Sequence, residues 1–173
     1  MGNTRQLLEE SGLIKVKSAT PQWTSLEVAP TLESKQQVHE YLRTQLEGLT
    51  GELCEGILLA VDELLGNAIE HGCRLDPKGT VVITLVRTDH MILLHVRDDG
   101  AGFPVSSMPH AAISNPPEDP LRHLALRSEL GMRPGGFGIM LVKQIGDELI
   151  YNEAGNEVMM VKFLNQPPDG AHA

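Results

Sequence analysis

The chain is predicted to adopt an α+β fold, a two-layer α/β sandwich whose mainly antiparallel mixed sheet carries helices on one face. Three observations lead there. A long helical stripe over residues 51–72 precedes two β-rich runs, 80–87 and 91–96, joined by the short turn Thr88-Asp89-His90. A second helix, 137–146, precedes two further runs, 148–152 and 157–164, around the turn Ala154-Gly155-Asn156. Neither an internal repeat nor a Gly/Ser-rich linker divides the 173 residues, so one core is expected. A chain of that length buries roughly 70% of the surface its unfolded form exposes.

The elements follow in order. Residues 1–20 show no sustained periodicity and read as an N-terminal arm or an edge segment. A β-like run over 23–28 precedes Pro30, after which Thr31 or Ser34 can cap a helix carrying Val38, Tyr41, Leu42, Leu46 and Leu49. In the next helix Leu53, Ile57, Leu58, Val61, Leu64, Leu65, Ala68 and Ile69 recur at three- and four-residue intervals, and Gly72 is the expected stop. Asp76-Pro77-Lys78-Gly79 makes a turn into the first hairpin. Residues 103–134 hold six prolines and one short helix-like patch, 121–130; a connection of that kind inside a compact domain suggests a lid or binding loop. The expected organisation is therefore an arm at 1–20, a domain at 21–165 with a lid at 103–134, and a polar tail at 166–173.

Composition excludes several function classes. A formal charge of −9 leaves too few cations for a broad phosphate-backbone footprint, so no nucleic-acid partner is expected. No run approaches the roughly 20 apolar residues of a membrane span. The polar opening Gly2-Asn3-Thr4-Arg5-Gln6 lacks a signal core, so no membrane and a cytoplasmic location are expected. Cys54 and Cys73 lack a CxxC spacing and read as reduced structural thiols.

Three short segments carry chemistry. Glu63 and Asn67 stand one helical turn apart on one face, where a carboxylate can activate a hydroxyl and a carboxamide oxygen suits Mg²⁺. Gly66 beside them weakens a helix by about 1 kcal/mol relative to alanine, which suggests close approach of another group to the backbone. Asp98-Asp99-Gly100-Ala101-Gly102 ends a strand with an acceptor able to take an exocyclic amine beside glycines that admit a flat ligand. Arg133-Pro134-Gly135-Gly136-Phe137-Gly138 opens a helix, where unpaired N–H groups and the helix dipole favour phosphate. Each alone is also what a solvated helix face, an ordinary Asp-Gly turn or a flexible helix start contains. Their occurrence together, in this order, points to a nucleotide pocket.

Glu63-x-x-x-Asn67-Ala68-x-x-His71-Gly72, Asp98-x-Gly100-x-Gly102 and Gly136-Phe137-Gly138 resemble the N, G1 and G2 boxes of the Bergerat-fold (GHKL) ATPases. Asp147-Glu148-x-x-Tyr151 looks like the branch of bacterial anti-sigma-factor serine kinases. The resemblance spans about residues 23–164. It implies that Glu63 activates the nucleophile, Asn67 binds Mg²⁺ and Asp98 contacts the adenine of ATP. His71, Gly100, Gly102, Arg133, Gly135, Gly136, Phe137 and Gly138 would line the nucleotide. It also implies a protein serine kinase that phosphorylates a small anti-anti-sigma (STAS-type) protein, holds a sigma factor and forms a homodimer. A nucleotide-binding regulatory module without transfer, and the detached catalytic domain of a histidine kinase, are the alternative readings.

Overall fold

A computed structural model describes residues 9–20, 22–102, 114–131 and 136–164. Its six strands are β1 (Ile14–Thr20), β2 (Trp23–Val28), β3 (Val81–Arg87), β4 (Met91–Asp98), β5 (Glu148–Tyr151) and β6 (Glu157–Phe163). They form one sheet in the order β1-β2-β3-β4-β6-β5, and every pairing is antiparallel, so the sheet is not mixed. The helices are α1 (Leu32–Gln45), α2 (Gly51–Asn67), α3 (Arg122–Glu129) and α4 (Gly138–Ile145).

Of the two readings of residues 1–20, the edge segment is what the described part shows: β1 pairs with β2 from Ile14↔Val28 to Thr20↔Trp23. A register shift between Val16 and Ser18 breaks the alternation that would mark a strand, which is why periodicity missed it. Ile14 and Val16 nonetheless enter the core. Lys15 and Lys17 sit on this exposed edge, where charge discourages pairing with another chain.

One face of the sheet supplies Leu26, Val28, Ile83, Leu85, Ile92, Leu94, Val96 and Met160 to the core, and the helices cover it with Val38, Leu42, Ile57, Leu58, Val61 and Leu65. Tyr41 is the one aromatic residue in that buried set, as the aliphatic composition leads one to expect. Thr31 is the N-cap of α1: its hydroxyl accepts from Ser34 N at 3.1 Å, and Thr31 N donates back to the Ser34 hydroxyl at 3.3 Å.

The helical stripe ends differently from its prediction. Regular α-helix stops at Asn67, and Ala68–Gly72 continue as a π-helix. Gly72 is not the residue that turns the chain; Arg74 and Leu75 do so, at φ 55° and 57°. Single π turns inside helices recur at functional sites, because the extra residue re-aims the side chains around it.

Candidate active site

The site lies where the C-terminal end of α2, the end of β4, the β5–β6 turn and the start of α4 converge. Leu64, Asn67, Ala68, Val96, Asp98, Tyr151, Gly155 and Asn156 line an open cleft that mixes aliphatic walls with a few polar groups.

Asp98 forms the polar floor. It is 6% exposed, and its Oδ1 accepts from Gly100 N at 2.9 Å. Burial pushes its carboxyl above the usual range; the Gly100 N–H opposes that, and the neighbouring Asp99 charge adds to it. An acceptor held this way, next to a cleft, is available to an amine donor.

The reason for Gly72 is this carboxylate. A Cβ on Gly72 would stand 2.6 Å from Asp98 Oδ2, and one on Gly100 would meet both Asp98 Oδ1, at 2.7 Å, and the Gly72 carbonyl. The π-helix thus lets its last residue touch the end of β4 backbone to side chain. Gly102 has φ 74°, with the Ala154 carbonyl where a Cβ would be. Gly66 is approached by the end of the flexible Lys35 side chain, 3.0 Å from the Cβ position, and not by a ligand surface.

The other end of the site is built by α2 and α4. Glu63 rests on α4: its Cδ lies 3.0 Å from the position a Cβ would take on Gly138. Phe137 is the N-cap of α4 and gives no side-chain cap, so the first N–H groups of that helix have no intrahelical partner. Leu141 N closes the first turn on Phe137 O at 2.9 Å. Gly136 takes φ 90°, a conformation that glycine adopts freely. Neither Glu63 nor Asn67 makes a hydrogen bond or ion pair among the described residues, which leaves a carboxylate and a carboxamide on one helix face open to a ligand.

The predicted residues therefore fall into two groups. Asn67, Asp98, Gly100 and Gly102 gather around the cleft, while Glu63, Gly136, Phe137 and Gly138 gather at the α4 N-terminus. His71 is exposed on the π-helix and is not among the residues lining the cleft. Arg133 and Gly135 lie outside the described residues, as do 103–113 of the expected lid.

A family model for the histidine kinase-like ATPase domain matches residues 28–162, a span that takes in all three segments and the helices and strands bearing them. The chain belongs to this family. Among relatives, a serine-protein kinase RsbW of Oceanobacillus iheyensis is 28% identical over 119 residues, 68% of this chain and 70% of the relative. An anti-sigma F factor of Geobacillus stearothermophilus is 31% identical over 114 residues, 65% of this chain and 68% of the relative. A further anti-sigma F factor, of Bacillus cytotoxicus, is 29% identical over 125 residues, covering 70% and 76%.

In this histidine kinase-like ATPase domain the sequence reading missed a supporting layer. Asn152 Oδ1 gathers N–H groups from Gly155 (2.8 Å), Asn156 (3.1 Å) and Glu157 (3.2 Å). The turn so fixed lets Asn156 O accept from Asp98 N at 3.0 Å, and Asn156 Nδ2 donate to the carbonyls of Asp98 (3.2 Å) and Gly100 (3.3 Å). On the other side Asp99 accepts from Thr80 N at 2.9 Å and from the Cys73 thiol at 3.3 Å. Burial first, and then that carboxylate, push Cys73 up to about 11, so it is a protonated structural thiol at neutral pH. The available signal was the pair of asparagines flanking the turn Ala154-Gly155, since Asn commonly bonds its own turn backbone.

Proposed function

We propose that this chain is an ATP- and Mg²⁺-dependent protein serine kinase that acts as an anti-sigma factor. The observation that carries the reading is the seat of Glu63. A carboxylate with no hydrogen-bond or ion-pair partner among the described residues lies against Gly138, at the N-terminus of α4, one helical turn from Asn67 at the cleft. Relatives named as serine-protein kinase and anti-sigma F factor support the reaction class.

The residues fit the nucleotide and the metal. Asp98 accepts from the adenine amine, Gly100 and Gly102 let the chain pack closely on Asp98, Gly72 and Ala154 beside it, and the α4 N–H groups receive the phosphates. Asn67 offers a hard oxygen ligand in the cleft, and Mg²⁺ held there would supply charge neutralisation for the phosphates. Glu63 orients the serine hydroxyl of the substrate protein and takes its proton as the oxygen bonds to phosphorus. The terminal phosphoryl group moves to the serine oxygen, the bond to the ADP oxygen breaks, and the helix dipole of α4 stabilises the developing charge.

The substrate class that fits these relatives is a small anti-anti-sigma protein of STAS type, and the second partner is a sigma factor. A homodimer is supported by the outer sheet face, on which Trp23, Ile150 and Phe163 are exposed. No helix among the described residues is long and apolar enough to cross a membrane, in keeping with a cytoplasmic setting. Incubating the protein with Mg·ATP and a cognate anti-anti-sigma protein should yield acid-stable phosphoserine on that partner. Nucleotide binding without phosphoserine would leave a regulatory module instead, and acid-labile phosphohistidine would favour the histidine-kinase alternative.

A further inference from the structure

Among the described residues, one buried side-chain polar atom outside the groups already used has no hydrogen-bond partner. His123, on α3, is fully buried, and its Nε2 makes no hydrogen bond. The rest of the residue is firmly tied. His123 N donates to Asn115 Oδ1 at 2.9 Å, Asn115 Nδ2 donates to Pro120 O at 2.6 Å, and the same amide nitrogen lies 2.6 Å from His123 Nδ1. With both ends of the Asn115 amide fixed, Nδ1 is the acceptor, and the neutral ring carries its proton on Nε2. The orphan atom is therefore a donor.

Its surroundings say what it could meet. The imidazole and the Phe137 ring meet in a T-shaped pair, with ring centroids 4.5 Å apart and planes at 88°. An aromatic face is at best a weak acceptor for an N–H, and a buried donor left without a partner is uncommon enough to need a reason. Phe137 caps α4, and Glu63 rests on the next residue, Gly138. The phosphate nearest the base that activates the acceptor hydroxyl is the terminal one.

We propose that His123 is a phosphate-binding residue: its Nε2–H donates to an oxygen of the terminal phosphate of ATP seated at the α4 N-terminus. The inference rests on the nucleotide reading of this site. It makes α3 part of the pocket, and it gives the protein a means to distinguish ATP from ADP.

The test is calorimetry of Mg·ATP and Mg·ADP on the native protein, on His123→Phe, which keeps a ring against Phe137 without the donor, and on His123→Gln, which keeps a side-chain N–H. Loss of one hydrogen bond to a charged group should weaken ATP binding of His123→Phe by about tenfold or more, leave ADP within about twofold, and be largely restored in His123→Gln. Unchanged ATP affinity in His123→Phe overturns the proposal. So does an equal loss for ATP and ADP accompanied by a lower melting temperature, which is the signature of packing alone. Failure of the native protein to bind ATP overturns the nucleotide reading itself, and is told apart because no variant is needed to see it.

Discussion

In the proposed mechanism Asp98, Asn67 and Glu63 divide the work at the level of single side chains, and each should leave a different trace when changed. Desolvation raises Asp98 above its ordinary value of 3.8, so the folded state holds that proton more tightly than the unfolded chain does. The sign follows: its ionisation costs stability as pH rises from the unfolded value through the folded one, and the cost persists at neutral pH. Asp98→Asn keeps an acceptor for Gly100 N but removes the buried charge. Its melting temperature without ligand should rise at pH 7 while its preference for ATP over GTP falls; scanning calorimetry and a two-nucleotide titration check the pair, and a lower melting temperature would count against desolvation as the cause. Asn67→Ala should weaken Mg²⁺-dependent ATP binding by about 10- to 100-fold, the range expected when a metal's support is lost. Titration with and without Mg²⁺ reads it, and equal affinity in both proteins would remove Asn67 from the metal site. That these three side chains would be candidates was legible in the sequence, from the helical spacing of Glu63 and Asn67 and from the strand-ending Asp98 before its glycines. Asn152 and Asn156 were not, since nothing in their spacing says that their turn would close on the backbone of Asp98.

Among the elements, the π-helix over Ala68–Gly72 is the one whose meaning changed most between sequence and structure. Periodicity continues through it, so the sequence predicts a single helix ending at a glycine stop. In the structure the glycine is needed for room, because the Asp98 carboxylate occupies the place of its Cβ. Contacts between residues 26 apart in sequence are set by how the helix lies across the sheet, and no local pattern encodes that. Gly72→Ala should therefore cost about 1–3 kcal/mol, as overpacking does. It should also lower ATP affinity by displacing Asp98, whereas Gly51→Ala, at an exposed position with open space around it, should leave ATP affinity unaltered. Denaturant melts and ATP titrations of both variants test this, and an ATP affinity unaffected at Gly72 would show that the contact with Asp98 has no bearing on the site. The strand β1 escaped notice for a related reason: its bulge shifts the alternation midway, so Ile14 and Val16 point inward with too little pattern around them to be read.

At the scale of the whole molecule, the antiparallel sheet holds one end of the site and the helix layer the other. The α+β class and the order of helices and hairpins were legible because amphipathic periods of two kinds alternate along the chain. The C-terminal end of β6 is tied to the loop after α4 through Asp147. Burial opposes its ionisation, but the Lys162 side chain (2.9 Å), the Phe163 N–H and the Lys162 charge together hold its carboxyl below the usual range. A carboxylate whose folded value is depressed stabilises the fold above its unfolded value, and loses that contribution as pH falls through the folded one. Asp147→Asn should accordingly show a shallower loss of stability on acidification below about pH 4 than the native protein does. Melting temperatures across an acid series measure the difference; parallel curves would mean that Asp147 does not contribute. Because the pair is partly exposed, salt should reduce the effect.

The claim on which everything else depends is that Glu63, set against the open start of α4, is the base for phosphoryl transfer. Single-turnover transfer from Mg·ATP to the serine of an anti-anti-sigma protein, compared between the native protein and Glu63→Gln at saturating ATP, measures it. The substitution should slow transfer by about 10²- to 10⁴-fold, the range contributed by a positioned base, with ATP affinity unchanged. Transfer at the native rate by Glu63→Gln would contradict the account.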